Sequence, residues 1–202
     1  MALLHLPLPA AELLLDPSFL SLVEAEHLLA NLTAAVPWRH EPIRLFGREV
    51  MQPRLTAWYG DAGAAYAYSG LRLEPLPWLP ELQLLRRQVE QATGTPFNSV
   101  LLNLYRSGQD SMGYHADDEP ELGSEPVIAS VTLGATRRFR LKPRPAAFAE
   151  ATGLPAPLSL PLTSGSLLVM RGPTQRNWLH ALPKTSQPVG PRLNLTFRWV
   201  RG

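Results

Sequence analysis

Pro191-Arg192-Leu193-Asn194-Leu195-Thr196-Phe197-Arg198-Trp199 alternates polar and apolar residues without a break. On an extended chain, residues i and i+2 point to the same side. The stretch therefore reads as a β-strand with Arg192, Asn194, Thr196 and Arg198 on one face. Arginines facing inward are expensive unless a carboxylate answers them. A small dicarboxylate cosubstrate would supply one.

Working outward, the β signal begins at Phe97. Strands are expected at Ser99–Tyr105, Ile128–Leu133, Arg138–Lys142, Ser166–Met170, Asn177–Leu182 and Arg192–Val200. The Pro- and Ala-rich segment from Pro143 to Pro161 reads as a loop or hairpin excursion. Upstream, Ser21-Leu22-Val23-Glu24 is a capping box with Leu20 placed as a staple. Leu22, Ala25, Leu28, Leu29 and Leu32 follow at helical spacing, predicting a helix from Ser21 to Ala34. His27 falls within it as a partly exposed residue. A second helix is predicted from Pro80 to Thr93, started by proline, stopped by Gly94 and striped by Leu82, Leu85 and Val89. Between the helices, Ile43 to Tyr68 reads as short strands and hairpins rich in aromatics. The fold class is α+β, with N-terminal helices buttressing a β-sandwich or jelly roll. The chain reads as one domain: 1–96 carries helices and hairpins, and 97–202 carries the β core.

Gly113-Tyr114-His115-Ala116-Asp117-Asp118-Glu119 supplies the chemistry. His115 and Asp117, two residues apart, can grip one metal ion from one strand end. His180, in Asn177-Trp178-Leu179-His180, is the best third ligand. Two histidines and one carboxylate on one face leave open positions and suit non-heme Fe(II).

Composition bounds the alternatives. The chain has 202 residues, 45% hydrophobic and 18% charged, which fits a globular protein. Cysteine is absent, which removes disulfides, thiolate metal sites and a cysteine nucleophile. The net charge of +2 is unevenly spread: 7 Arg against 10 acids in residues 1–100, and 12 basic against 7 acidic residues after that. The second half therefore offers a modest basic face that fits nucleic acid. The first 20 residues lack a basic leader region, and no apolar run is long enough to span a membrane.

With His115-x-Asp117, His180 and the Arg192-to-Arg198 strand in place, the chain resembles the AlkB family of Fe(II)/2-oxoglutarate dioxygenases. The resemblance runs from about Phe46 to Trp199. Within the family it is nearest to the mammalian-type member that repairs alkylated double-stranded DNA. It implies a double-stranded β-helix fold, and it implies Fe(II), 2-oxoglutarate and O2 as cofactor and cosubstrates. The implied iron ligands are His115, Asp117 and His180. Arg192, assisted by Tyr105, would pair with the distal carboxylate of 2-oxoglutarate. Asn103 and Arg198 would meet its iron-chelating carboxylate, with Thr196 nearby. Tyr66, Tyr68, His115 and Glu119 would sandwich and recognise an extruded base, and Phe46 would fill the gap left behind. Asp118 would be a supporting carboxylate or a solvated turn residue.

The implied function is oxidative dealkylation of N-alkylated bases in DNA, of the 1-methyladenine and 3-methylcytosine type. The expected partner is alkylated DNA, single- or double-stranded, and the expected protein is an intracellular monomer, cytoplasmic in a bacterium or nuclear in a eukaryote. RNA or a protein side chain is the alternative substrate. A non-enzymatic nucleic-acid-binding module is the competing class, and it would leave a buried Arg192 without a partner.

Overall fold

The computed structural model describes residues 3–45, 48–64, 66–68, 71–148, 153 and 155–201, with backbone alone at 43–45, 48, 66–68 and 71–73. Strands β1 (Leu4–Leu6) and β2 (Glu12–Asp16) precede helix α1 (Leu22–Ala35). Then come β3 (Pro42–Leu45), β4 (Arg48–Met51), β5 (Leu55–Gly60), β6 (Tyr66–Tyr68), β7 (Leu71–Leu73) and helix α2 (Pro80–Thr93). The second half holds β8 (Ser99–Tyr105), β9 (Met112–His115), β10 (Ile128–Gly134), β11 (Arg137–Pro143), β12 (Leu158–Leu162) and β13 (Leu167–Arg171). A one-turn helix α3 (Thr174–Asn177), β14 (Trp178–Leu182) and β15 (Arg192–Arg198) complete it.

Two antiparallel sheets face each other. One has seven strands in the order β1-β2-β13-β10-β15-β8-β5, and the other has four in the order β12-β11-β14-β9. This is the expected sandwich. β15 lies between β10 and β8, so its backbone is paired on both sides. Its Leu193, Leu195 and Phe197 are fully buried with the helices' Ala25, Leu32, Leu82, Leu85 and Val89. Its other face looks toward the four-stranded sheet. That double burial explains why the polar face of β15 must find partners or a ligand.

The helices form where the local signals put them. Ser21 caps α1 reciprocally with Glu24, and Gly94 ends α2 in the left-handed conformation at φ 67°. Leu82, Leu85 and Val89 are essentially inaccessible, each contributing about 1.5–3 kcal/mol of burial. Leu22 departs from its predicted stripe. It sits in the first turn and is 67% exposed, leaving Ala25 and Leu32 as the buried residues of α1. His27 is exposed.

Strands from before residue 96 take part in the larger sheet, which β1, β2 and β5 all join. The excursion after β11 returns as β12 and pairs with β11, a hairpin rather than a free loop. No helix among the described residues is long and apolar enough to cross a membrane.

Candidate metal and cosubstrate site

A cavity of about 180 Å³ opens between the two sheets. β15 lines it with Arg192, Asn194, Thr196 and Arg198, the face foreseen from the alternation. Neighbouring strands add positions of matching register. Asn103 and Tyr105 of β8 stand opposite Asn194 and Arg192, and Ser130 of β10 stands opposite Thr196. At a rise of ~3.3 Å per residue, Arg192 and Arg198 begin ~20 Å apart along the strand. They serve opposite ends of its inner face.

The metal-ligand cluster forms on the opposing sheet. β9 and β14 are antiparallel neighbours, and His115 pairs directly with His180. Asp117 lies two residues beyond, just past the end of β9. One ligand atom from each of His115, Asp117 and His180 lies within 4.8 Å of the others. His115 Nδ1 is 2.9 Å from the Gly113 carbonyl oxygen. A carbonyl only accepts, so Nδ1 carries the proton and Nε2 presents its lone pair toward the cluster. His180 Cα is held by the β11–β14 ladder, and its ring stacks on Phe139 at 5.3 Å.

The charge states also suit a metal. Burial pushes the His180 pKa down to about 3, with His115 adding to the shift. Its ring is neutral at physiological pH. Burial alone would raise the Asp117 pKa, but Arg198, His180 and His115 outweigh it and bring it to about 2. Arg198 Nη2 lies 2.9 Å from Asp117 Oδ1. The Asp117 amide donates to Gln175 Oε1 at 3.0 Å. Neutral imidazoles and an ionised carboxylate are the forms that ligate metals.

Arg192 is 2% exposed. Its Nη2 donates to Thr132 Oγ1 and Asn194 Oδ1, each at 2.8 Å. Its Nε finds no acceptor among the described residues, and the Tyr105 ring centre is 5.4 Å from the guanidinium carbon. Burial lowers its pKa to about 10, opposed by Tyr105 and aided by Arg137. A buried guanidinium without a carboxylate fits an anionic ligand that the cavity would admit. Thr196 Oγ1 accepts from Asn194 Nδ2 at 2.8 Å.

The other anticipated residues divide. Glu119 lines the cavity with one carboxylate oxygen buried and unpartnered among the described residues. Asp118 faces out and accepts from Arg144 Nη2 at 2.6 Å. Tyr66 and Tyr68 occupy alternate positions of β6, and their side chains, like all of Phe46, lie outside the described residues.

Two residues went unforeseen. Arg54, 4% exposed, lines the cavity and donates from Nε to Asn103 Oδ1 at 2.8 Å. It precedes β5 in a segment without periodicity, and only the β5–β8 register brings it beside Asn103. Gln175 is uncharged and sits in a single helical turn, so no motif marks it.

The 2OG-Fe(II) oxygenase superfamily model matches residues 12–198. Alpha-ketoglutarate-dependent dioxygenase alkB homolog 3 of Homo sapiens is 43% identical over 197 residues, covering 96% of this chain and 68% of the relative. The Mus musculus protein of that name is 45% identical with the same coverage. DNA oxidative demethylase ALKBH2 of Homo sapiens is 44% identical over 158 residues, 78% of this chain and 60% of that protein. Among solved structures, one titled "The structure of OsALKBH1" aligns with a TM-score of 0.68 over 96% of this chain and 99% of its own, at 16% identity. That likeness concerns the fold alone.

Proposed function

Since the chain belongs to the AlkB family within the 2OG-Fe(II) oxygenase superfamily, we propose that it oxidatively dealkylates N-alkylated nucleobases in DNA. The observation carrying this reading is one cavity holding both parts of the machinery. A cluster of two histidines and an ionised aspartate shares it with a buried arginine that has no carboxylate partner among the described residues. Fe(II) would be held by His115, Asp117 and His180. 2-Oxoglutarate would be held by Arg192 at its distal carboxylate, with Asn103, Tyr105, Thr196 and Arg198 around the rest. When bound with O2, this pair supplies oxidation of the N-alkyl carbon, with 2-oxoglutarate converted to succinate and CO2 and the alkyl group released as an aldehyde.

The chain's own residues bind and orient. Arg198 holds Oδ1 of Asp117 and keeps the carboxylate ionised and oriented beside His115. The Gly113 carbonyl fixes the His115 tautomer. The apolar Leu101, Phe139 and Met170 of the cavity wall exclude water around the target carbon. A methyl group inside a duplex is out of reach, so the base must leave the stack. Glu119, whose buried oxygen in the cavity has no partner among the described residues, is suited to accept from an N–H of the extruded base. Tyr66 and Tyr68 would cover that base's faces, and Phe46 would occupy the vacated step of the helix. Relatives bearing two names support the reading at similar identity.

The test is turnover of methylated oligonucleotides, single- and double-stranded, DNA and RNA, with products read by mass spectrometry. Loss of the methyl mass that requires both Fe(II) and 2-oxoglutarate is expected on DNA. His180→Ala should abolish it while leaving the circular dichroism spectrum intact. Full turnover in that variant would sink the ligand assignment, and turnover confined to RNA would overturn the substrate.

A further inference from the structure

The four strands of the smaller sheet carry Arg137, Arg138, Arg140 and Lys142 and not one Asp or Glu. Arg137 is buried and donates to the carbonyls of Ser107, Asp110 and Pro183. The other three cations lie on alternate residues of β11, which sets them on the outer face. Arg138 and Arg140 are exposed and Lys142 half-buried. None is within ion-pair distance of a carboxylate among the described residues. Their cross-strand partners are Pro161, Ser159, Ala181 and Leu179, and none of these carries compensating charge.

Like charges about two strand residues apart, ~6.6 Å, repel one another, and sheets ordinarily oppose them with the other sign. Cations along an edge strand can serve to prevent edge pairing. β11 is not an edge, because β12 and β14 flank it. The row therefore calls for an external anion.

Its position relates it to the cavity. Lys142 Nζ lies 4.3 Å from the ring centre of Tyr114, which is 42% exposed. Tyr114 immediately precedes His115 on edge strand β9, and successive side chains of a strand point to opposite faces. One turns toward the metal cluster and the other toward the cations. From β9 to β11 is two strand spacings, ~10 Å. Alternating positive charge with an aromatic platform is how proteins hold single-stranded nucleic acid.

We propose that this outer face is a track for the backbone of the DNA strand that delivers its base to the cavity. The strand crosses the β9 edge over Tyr114 and runs along Lys142, Arg140 and Arg138. A single file of cations meets one phosphodiester chain, not the two of a duplex. The strand's destination rests on the dealkylation reading, while the contact itself does not.

The experiment measures salt-dependent binding of an unmodified single-stranded DNA oligonucleotide by fluorescence anisotropy, with turnover of a methylated strand followed in parallel. Each phosphate neutralised contributes about −0.7 to the slope of log K against log salt for single strands. Joint replacement of Arg138, Arg140 and Lys142 by Ala should make the slope shallower by ~2. Arg140→Glu alone should weaken binding more than Arg140→Ala. Arg87→Ala, which removes an exposed arginine from α2, should leave the slope unchanged. An unchanged slope in the triple variant overturns the track. So does an equal change in Arg87→Ala, or a change seen only with duplex. Absence of turnover alongside a shallower slope would reject the dealkylation reading and uphold the contact.

Discussion

Replacing Arg192 by Met should separate stability from function, because the same desolvation that weakens the fold makes the site receptive. The guanidinium is 2% exposed, and burial brings its pKa down from its ordinary value to about 10. At ~1.4 kcal/mol per tenfold change, that lowering corresponds to roughly 3 kcal/mol of unfavourable burial in the ligand-free protein. Methionine is of similar length and needs no counter-charge. It would leave Thr132 and Asn194 each without one donor, a partial offset. The ligand-free Tm is therefore expected to stay level or rise by a few degrees. A desolvated carboxylate–arginine pair contributes ~2–4 kcal/mol to binding. Its loss should raise the 2-oxoglutarate requirement by on the order of 30- to 1000-fold. Calorimetry with and without 2-oxoglutarate, plus anaerobic titration of the Fe(II) complex by its visible charge-transfer band, reads both quantities. A requirement changed less than threefold would mean another group, such as Arg54, holds the distal carboxylate. A fall in Tm beyond about 5 °C would mark Arg192 as structural and refute the reasoning.

Gln175→Leu removes the acceptor of the Asp117 amide and should lower Co(II) or Fe(II) affinity by about 10- to 100-fold, with unchanged affinity showing that the Asp117 loop holds itself. Metal-free protein should lose stability as pH falls below the ordinary histidine value near 6.5, toward the folded His180 value of about 3. The unfolded chain binds that proton first, so stability rises with pH across this window. His180→Phe should flatten that part of a Tm-versus-pH curve, and an identical curve would place the dependence elsewhere. Phe46→Ala should slow repair of duplex DNA by about 5- to 150-fold, from the ~1–3 kcal/mol of base–aromatic stacking. It should affect single strands much less, and equal slowing on both would identify Phe46 as a packing residue.

Legibility followed the strength of local patterns. α2 was readable because proline, glycine and three apolar positions all specify one helix, and β15 because its alternation continues through seven residues. β1 and β2 were not. Leu13 and Leu14 are both buried, on opposite faces, so alternation vanishes from Glu12–Asp16 and only its pairing with β1 and β13 reveals it as strand. The metal triad was legible from two short motifs, although their meeting depends on a ladder between residues 65 positions apart in sequence. The pairing of Arg198 with Asp117 was not legible. The sequence suggested a cosubstrate contact, but the packing of the two sheets brings a protein carboxylate within reach first.

The two-sided character of β15 also guards against faulty assembly. Sliding this strand by one residue against β8 and β10 would turn Leu193, Leu195 and Phe197 into the cavity and press Arg192 and Arg198 against the helices. Such a conformer would combine buried charge with an unfilled core, and two ladders would break together. A near-native state that keeps the metal ligands on the four-stranded sheet but has lost the cosubstrate anchor on β15 is therefore costly to reach. For a protein that activates oxygen, that matters beyond folding yield. A copy with the metal ligands in place and Arg192 turned out of the cavity would hold metal without the anchor that controls it, and the cost of the slip keeps such copies rare.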